Sequence, residues 1–267
     1  MGIFTGDLIC TDCDGTLTDS HGALSAENAA AIRFFQEEGG LFTVATGRFP
    51  KHVLQFAPAF RPNTYQIVGN GTTIYDIDHE RVLEEITLSE APEEALRYAI
   101  DETRCGLIYV DFLNHSVCWK RPGVAIAEEA TEHLEDLLAL RQEPWHKINF
   151  CFQTPEETMQ AQARMKARFP EYKFERSWST GMELLPAEGG KGPAVRRLAA
   201  MLEGRVRRII GVGDYENDVS MLQMADIGYA VEGATELCLQ AADRITVSND
   251  QHALAVIIEE LRKEKES

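Results

Sequence analysis

Hydrophobic and polar positions alternate along the first part of the chain in blocks that predict strands and helices in turn. Short apolar runs at Leu8–Cys10, Leu41–Ala45 and Gln66–Val68 are typical of buried strands. Between the first two, Ser25 is the predicted N-cap of a helix over Ala26–Glu38, whose apolar stripe has helical spacing. Such alternation favours a parallel sheet with crossover helices.

The middle of the chain has a different pattern. Between residues 82 and 186, strand-like runs follow one another with helical runs among them, which favours an antiparallel sheet with helices on one face. The strand and helix alternation then returns. We therefore predict the α/β class, with a Rossmann-like parallel sheet formed by residues 1–81 and 187–267 and a separate α+β unit inserted at 82–186. A short helix is also predicted around Pro50–Phe56.

Composition narrows the possible partners and the compartment. The 267 residues are 44% hydrophobic, which is enough for a full core. A formal net charge of −17 argues against nucleic acid and anionic membrane surfaces as partners. There is no apolar run of about 18 residues that would predict a membrane span. Six cysteines without Cys-x-x-Cys spacing indicate buried thiols in a reducing compartment, so we expect a cytoplasmic protein. The oligomeric state cannot be predicted.

Two aspartates follow the first predicted strand, in the run Asp12-Cys13-Asp14-Gly15-Thr16. Two like charges about 4 Å apart repel by roughly 4 kcal/mol at an effective dielectric near 20. Such a pair is retained where a cation or a proton transfer offsets the repulsion. One carboxylate can then attack a substrate or bind a metal, and the other can carry a proton. Taken alone, the same run is also compatible with a solvated turn.

Three further polar clusters lie at or beside the carboxyl ends of predicted parallel strands. They are Thr46-Gly47-Arg48, Lys191, and Gly213-Asp214-x-x-Asn217-Asp218. Each one alone is compatible with an ordinary turn or the start of a helix. In open α/β sheets, however, ligands bind at that edge, so four clusters with complementary chemistry predict a site there.

In this order and spacing, the clusters resemble the four motifs of the haloacid dehalogenase (HAD) superfamily of phosphotransferases. The large insertion between the second and third motifs is similar to the C2 cap of the Cof-type subfamily, as is Gly69-Asn70-Gly71. The resemblance covers essentially the whole predicted core, and in the insertion it rests on length and pattern only. Cys13 departs from the usual Leu, Met or Phe, and Glu232-Gly233-Ala234 stands where the subfamily has Gly-Asn-Ala.

The resemblance implies a Mg²⁺-dependent phosphatase that acts on a small phosphate ester, with sugar phosphates as the expected substrates. Asp12 would attack phosphorus and become an aspartyl phosphate. Asp14 would protonate the leaving oxygen and then deprotonate the attacking water. By the same resemblance, Mg²⁺ would be bound by Asp12, the backbone carbonyl of Asp14 and Asp214, and Asp218 would either orient its waters or bind it directly.

The resemblance also implies which residues would hold the phosphoryl oxygens. These are the Thr46 hydroxyl, the Gly47 amide and the Lys191 ammonium, with Asn217 as a neutral hydrogen-bonding group beside them. Arg48 is compatible with a substrate or cap contact and equally with a structural salt bridge. Asn70 is compatible with a substrate contact and with a common Asn-Gly turn.

Two other functions use the same motifs. A phosphomutase built on the same aspartyl phosphate needs all four motifs but keeps the phosphoryl group from water. A non-catalytic sensor of phosphorylated ligands usually lacks a catalytic carboxylate or the lysine, and here all of them are present. The substrate itself cannot be predicted, because it would depend on the cap. Candidates for lining residues there, each equally compatible with a core or surface role, are Trp119, Lys120, Arg121, Trp145, Lys147, Trp178 and Met182.

Overall fold

The chain forms two structural units in a computed structural model that describes residues 2–53 and 60–266. The core unit contains the residues up to Glu85 and those from Gly190 onward. The inserted unit is Ile86–Gly189.

The sequence pattern predicts unit boundaries after residues 81 and 186. In the structure both lie a few residues later, after Glu85 and Gly189. The first lies later because the strand Arg81–Glu85 pairs with the strand before it and stays with the core unit. At the second boundary, the Lys173 ammonium of the inserted unit donates to the Gly189 carbonyl at 2.8 Å.

The elements are numbered along the chain. The strands are β1 (Asp7–Thr11), β2 (Leu41–Val44), β3 (Gln66–Val68), β4 (Thr73–Asp76), β5 (Arg81–Glu85), β6 (Leu107–Asp111), β7 (Ser116–Lys120), β8 (Lys147–Cys151), β9 (Lys173–Trp178), β10 (Gly181–Leu185), β11 (Arg208–Gly213), β12 (Ile227–Val231) and β13 (Arg244–Thr246). The helices are α1 (Ala26–Glu37), α2 (Glu93–Glu102), α3 (Leu134–Leu138), α4 (Pro155–Arg168), α5 (Lys191–Met201), α6 (Val219–Met224), α7 (Glu236–Ala241) and α8 (Ala253–Glu266). Of the helix predicted around Pro50–Phe56, residues 50–53 are helical, and the remainder lies outside the described residues.

The core unit is built on a parallel sheet. In the described part of the chain its strand order is β13-β12-β11-β1-β2, and each neighbouring pair is parallel. A parallel bridge between Ala45 and Ile67 connects it to β3, which forms an antiparallel sheet with β4 and β5. The predicted α/β class with a Rossmann-like parallel sheet is confirmed. β1 pairs with a strand on each side, so its carboxyl end lies between the ends of two neighbouring strands.

Helices cover both faces of this sheet. On one face, Ile9 belongs to the same apolar cluster as residues of α1 and α8, and on the other face Leu8 and Cys10 pack with residues of α5. Helix α1 begins as predicted, because the Ser25 hydroxyl accepts from the Asn28 amide at 3.1 Å. Among the described residues, none of the helices combines the length and the hydrophobicity that crossing a bilayer would require.

The inserted unit is an α+β structure with a sheet in the order β7-β6-β8-β10-β9. One face of the sheet is apolar and packs with α2, α3 and α4. The other face carries buried polar side chains. Among these, the Lys147 ammonium lies 2.9 Å from the Glu183 carboxylate, and the Asn149 amide donates to Asp111 at 2.6 Å.

Several of the candidate lining residues have structural roles in this unit. Trp119, Trp145 and Met182 are buried in its apolar cluster, with at most 2% of their surface exposed. The Arg121 guanidinium donates to main-chain carbonyls at and after the end of α2. Lys147 is paired on the polar face of the sheet.

A close backbone contact joins the loop after β3 to the start of α5. The Gly190 amide donates to the Asn70 carbonyl at 3.0 Å. Gly71 has a φ of +83°, and a Cβ placed on it would lie 2.1 Å from the Gly190 carbonyl oxygen. Only glycine therefore allows this loop to lie against the residue that precedes Lys191.

We expect Gly71→Ala to lower the free energy of unfolding by roughly 2–5 kcal/mol, as the sum of left-handed backbone strain and steric overlap. Gly233→Ala is the matched control, since Gly233 has a similar φ of +89° but, among the described residues, a Cβ there would meet no other group within 4 Å. It should show only the backbone cost of about 1–2 kcal/mol. Urea unfolding of both variants measures the difference, and equal losses would contradict the steric explanation.

Candidate active site

The parallel sheet brings three of the predicted clusters to one edge. Asp12 directly follows β1, Asp214 directly follows β11, and Thr46 lies two residues beyond β2. Hydrogen bonds continue the strand pairing to these positions: the Asp12 amide donates to the Val212 carbonyl at 2.9 Å, and the Ala45 amide donates to a β1 carbonyl at 2.8 Å. Because β1 lies between β11 and β2, the side chains after the three strands converge.

Lys191 is the first residue of α5 and is completely buried. Its ammonium lies 2.5 Å from Asp12 Oδ1 and 2.6 Å from Asp218 Oδ1. Burial opposes the charge of this ammonium, but the carboxylates of Asp12 and Asp218 outweigh that effect and raise the pKa of Lys191. The lysine therefore stays charged and joins two carboxylates from distant parts of the chain.

The second oxygen of Asp218 holds the loop after β11. Asp218 Oδ2 accepts from the backbone amides of Asp214 and Tyr215, each at 3.1 Å. A Cβ on Gly213 would lie 2.4 Å from the Asp218 Cβ, so a glycine is needed for this side chain to fold under the strand end. Asp218 thus links Lys191 to the backbone that carries Asp214.

Asp12, Asp214 and Asp218 form a cluster in which one carboxylate oxygen of each lies within 4.8 Å of the others. Together with one ammonium, three carboxylates leave a formal charge of −2. Burial raises the pKa of Asp12, against the opposing charge of Lys191, and burial together with the Asp218 charge raises the pKa of Asp214 to about 6. Hard oxygen donors with an unbalanced charge of this size fit Mg²⁺.

Asp14 is placed differently from this cluster. Its carboxylate forms a two-pronged ion pair with Arg48, in which Nε lies 2.8 Å from Oδ2 and Nη2 lies 2.7 Å from Oδ1. Of the two roles that the sequence leaves open for Arg48, the structure shows the salt bridge. Its partner is the predicted proton carrier, so the pair belongs to the site.

A group of neutral residues adjoins the charged ones. The Asn217 amide donates to Asn70 Oδ1 at 3.1 Å, and the Asn70 backbone amide donates to the Thr46 carbonyl at 2.9 Å. A Cβ on Gly47 would lie 3.1 Å from the Asn70 amide nitrogen, so Gly47 lies directly beside it. Among the described residues, Asn217 Oδ1 is buried and accepts no hydrogen bond. The structure therefore brings these four predicted residues together.

Two threonines contact Asp214, and the sequence alone does not predict a role for either of them. The Thr16 hydroxyl donates to Asp214 Oδ1 at 2.8 Å, and the Thr235 amide donates to the Asp214 carbonyl at 2.9 Å. Thr16 ends the first motif run, which is a signal that could have identified it. Thr235 lies in the loop before α7, where the sequence carries no comparable signal.

The chain is similar to known proteins over most of its length. A family model described as haloacid dehalogenase-like hydrolase matches residues 9–258. The chain is 26% identical over 279 residues to 5-amino-6-(5-phospho-D-ribitylamino)uracil phosphatase YwtE of Bacillus subtilis (strain 168), across 95% of this chain and 97% of the relative. It is 25% identical over 268 residues to pyridoxal phosphate phosphatase YbhA of Escherichia coli (strain K12), across 95% of this chain and 98% of the relative.

A solved structure gives the same fold. The chain matches a HAD subclass IIB sugar phosphatase with a TM-score of 0.77 and 17% identity, over 96% of this chain and 99% of that one. At that identity the likeness shows the fold alone. The family match, by contrast, spans most of the chain, and both curated relatives are phosphatases. The predicted family and enzyme class are confirmed, and the chain belongs to the haloacid dehalogenase-like hydrolases.

Proposed function

We propose that the protein is a Mg²⁺-dependent phosphatase that hydrolyses a small phosphate ester through an aspartyl phosphate on Asp12. The observation that carries this proposal is the contact between Asp12 and the buried Lys191 inside a cluster of three carboxylates. A carboxylate so placed can act as a nucleophile, and the ammonium beside it can balance the charge of an incoming phosphate.

The proposed reaction has two steps. In the first, an Asp12 oxygen attacks phosphorus while the bond to the leaving oxygen breaks, and Asp14 gives that oxygen its proton. In the second, Asp14 takes a proton from water, the water oxygen attacks phosphorus, and the bond to Asp12 breaks to release inorganic phosphate. The Thr46 hydroxyl, the Gly47 amide and Lys191 hold the phosphoryl oxygens during both steps.

Asp12, Asp214, Asp218 and the backbone carbonyl of Asp14 are the proposed ligands of Mg²⁺. When bound, the cation supplies the positive charge that allows a phosphate ester to approach three carboxylates. The pKa of about 6 at Asp214 supports this assignment, because it reflects burial and a neighbouring carboxylate that a cation would offset.

Phosphorylated metabolites are the proposed substrates, with sugar phosphates first among them. The names of two relatives support the wider class, since one is named as a phosphatase of a phosphorylated ribitylamino-uracil and the other as a phosphatase of pyridoxal phosphate. The six cysteines are free thiols, five of them buried, which supports the cytoplasm as the compartment we propose.

Asp12→Asn should lower phosphate release by at least about 1,000-fold, because the amide cannot form the covalent intermediate. The assay is phosphate release from sugar phosphates, nucleotides and pyridoxal phosphate in the presence of Mg²⁺. Asp78→Asn is the control, since Asp78 is an exposed aspartate of the core unit in the turn between β4 and β5, and it should retain full activity. Wild-type release by Asp12→Asn would exclude the proposed nucleophile.

The same panel separates the alternative functions. Isomerisation of a sugar phosphate without net release of phosphate would identify a mutase. Binding of an ester without any turnover by the wild type would identify a sensor.

Mg²⁺ should stabilise the folded protein, since a ligand at about 100 times its Kd adds about 2.7 kcal/mol to the free energy of unfolding. Asp214→Asn removes one proposed ligand but keeps an oxygen for the Thr16 hydroxyl, so it should melt normally without Mg²⁺ and lose most of the Mg²⁺-dependent increase in Tm. Thermal melts with Mg²⁺ or EDTA measure this, and Asp78→Asn should behave as wild type. An unchanged wild-type Tm would argue against the metal site.

A further inference from the structure

The ion pair between Arg48 and Asp14 is closely aligned, although both side chains are partly exposed to solvent. Both donor–acceptor distances are below 3 Å, at 2.8 and 2.7 Å, in the planar fork arrangement that gives a guanidinium–carboxylate pair its directionality. Yet 35% of the Arg48 side chain and 56% of the Asp14 side chain are exposed. Ion pairs that are this exposed contribute little to the free energy of unfolding, so stabilisation of the fold does not explain why this pair forms.

The backbone of Arg48 is held in place by two hydrogen bonds. The Arg48 amide donates to the Thr46 hydroxyl at 3.1 Å, and the Arg48 carbonyl accepts from the Gly69 amide at 3.0 Å. Asp14 lies in the turn Cys13–Leu17 with non-helical dihedrals, directly before Gly15 with its φ of +79°. Because the Arg48 backbone is anchored, the two hydrogen bonds of the Arg48 guanidinium define where the Asp14 carboxylate points.

The pair also neutralises the charge of Asp14 beside the carboxylate cluster of Asp12, Asp214 and Asp218. Asp12, Asp214 and Asp218 already exceed the charge of Lys191. A fourth free carboxylate two residues from Asp12 would add to that excess. The Arg48 guanidinium balances Asp14 and leaves it outside the group of carboxylates that converge on a cation.

We propose that Arg48 is a positioning residue that acts on the reaction through Asp14, by holding the Asp14 carboxylate for proton transfer, and not through direct contact with the substrate. This inference rests on the proposed function. It differs from the substrate contact that the sequence left open for Arg48, because Nε and Nη2 of the guanidinium are directed at Asp14.

The proposal predicts that the effect of losing Arg48 depends on the leaving group of the substrate. Proton donation by Asp14 matters most when the departing oxygen is a strongly basic alkoxide, as in an alkyl phosphate, and least when it leaves as a stable phenolate, as in 4-nitrophenyl phosphate. Because kcat/KM covers only the steps up to the first irreversible one, it reports transfer of the phosphoryl group to Asp12 and not the later attack of water. A residue that acts through Asp14 must show the same dependence on the leaving group.

The experiment is a double-mutant cycle with Arg48→Met, Asp14→Asn and the combined variant, assayed on 4-nitrophenyl phosphate and on the alkyl phosphate that the wild type hydrolyses best. Arg48→Met should lower kcat/KM for the alkyl phosphate by about 10- to 100-fold and for the aryl phosphate by less than about 3-fold. In the Asp14→Asn background, the arginine substitution should have no further effect on either substrate.

Arg262→Met is a matched control for the loss of an exposed forked pair. Arg262 contacts Glu259 with Nε and Nη2 at 2.8 and 2.9 Å, with 34% and 44% of the two side chains exposed, on α8. This variant should leave both kcat/KM values unchanged. Both arginine variants should shift Tm by no more than about 4 °C, which verifies that they are folded.

Other outcomes would overturn the proposal in recognisable ways. Equal losses on both substrates that add to those of Asp14→Asn would show that Arg48 contacts the phosphoryl group or supports the fold. A loss confined to KM would show that it binds the substrate. A wild type that releases phosphate from neither ester would overturn the proposed function, and this inference with it.

Discussion

The buried ammonium of Lys191 is the interaction on which the rest of the site depends. A charge without solvent is tolerated only when it is paired, and removing one partner of such a pair costs about 3–5 kcal/mol. Its partners Asp12 and Asp218 come from the two separate segments of the core unit. The requirement to pair this lysine therefore joins the end of β1, the start of α5 and the loop after β11.

The parallel sheet satisfies the part of this requirement that concerns the ends of strands. Neighbouring parallel strands end at the same edge, so Asp12 and Asp214 become neighbours as soon as β1 pairs with β11. Lys191 lies at the start of a helix and not at the end of a strand, so a further interaction is needed to place it. The loop at Asn70 supplies it, because its carbonyl accepts from Gly190 while its side chain accepts from Asn217. One asparagine thus connects two of the polar clusters.

The parts of the structure that follow from periodicity and strand ends can be predicted from the sequence, and the parts that depend on side-chain pairing between loops cannot. β1, β2 and β11 are apolar runs that end in polar residues, so their convergence follows from sheet topology. The Arg48–Asp14 pair depends on loop dihedrals, including the positive φ of Gly15, that no local pattern encodes. Likewise, the burial of Trp119 depends on which strands of the inserted unit become neighbours, and composition does not reveal that.

The buried polar face of the inserted sheet has a consequence for how that sheet forms. Along β8, the polar residues Lys147 and Asn149 alternate with Ile148, which belongs to the apolar cluster. Sliding β8 by one residue against β10 would place the Lys147 ammonium among hydrocarbon side chains and expose Ile148 to the polar side. The pair with Glu183 thereby penalises a shifted pairing of β8 with β10 during folding and favours the observed register of these two strands.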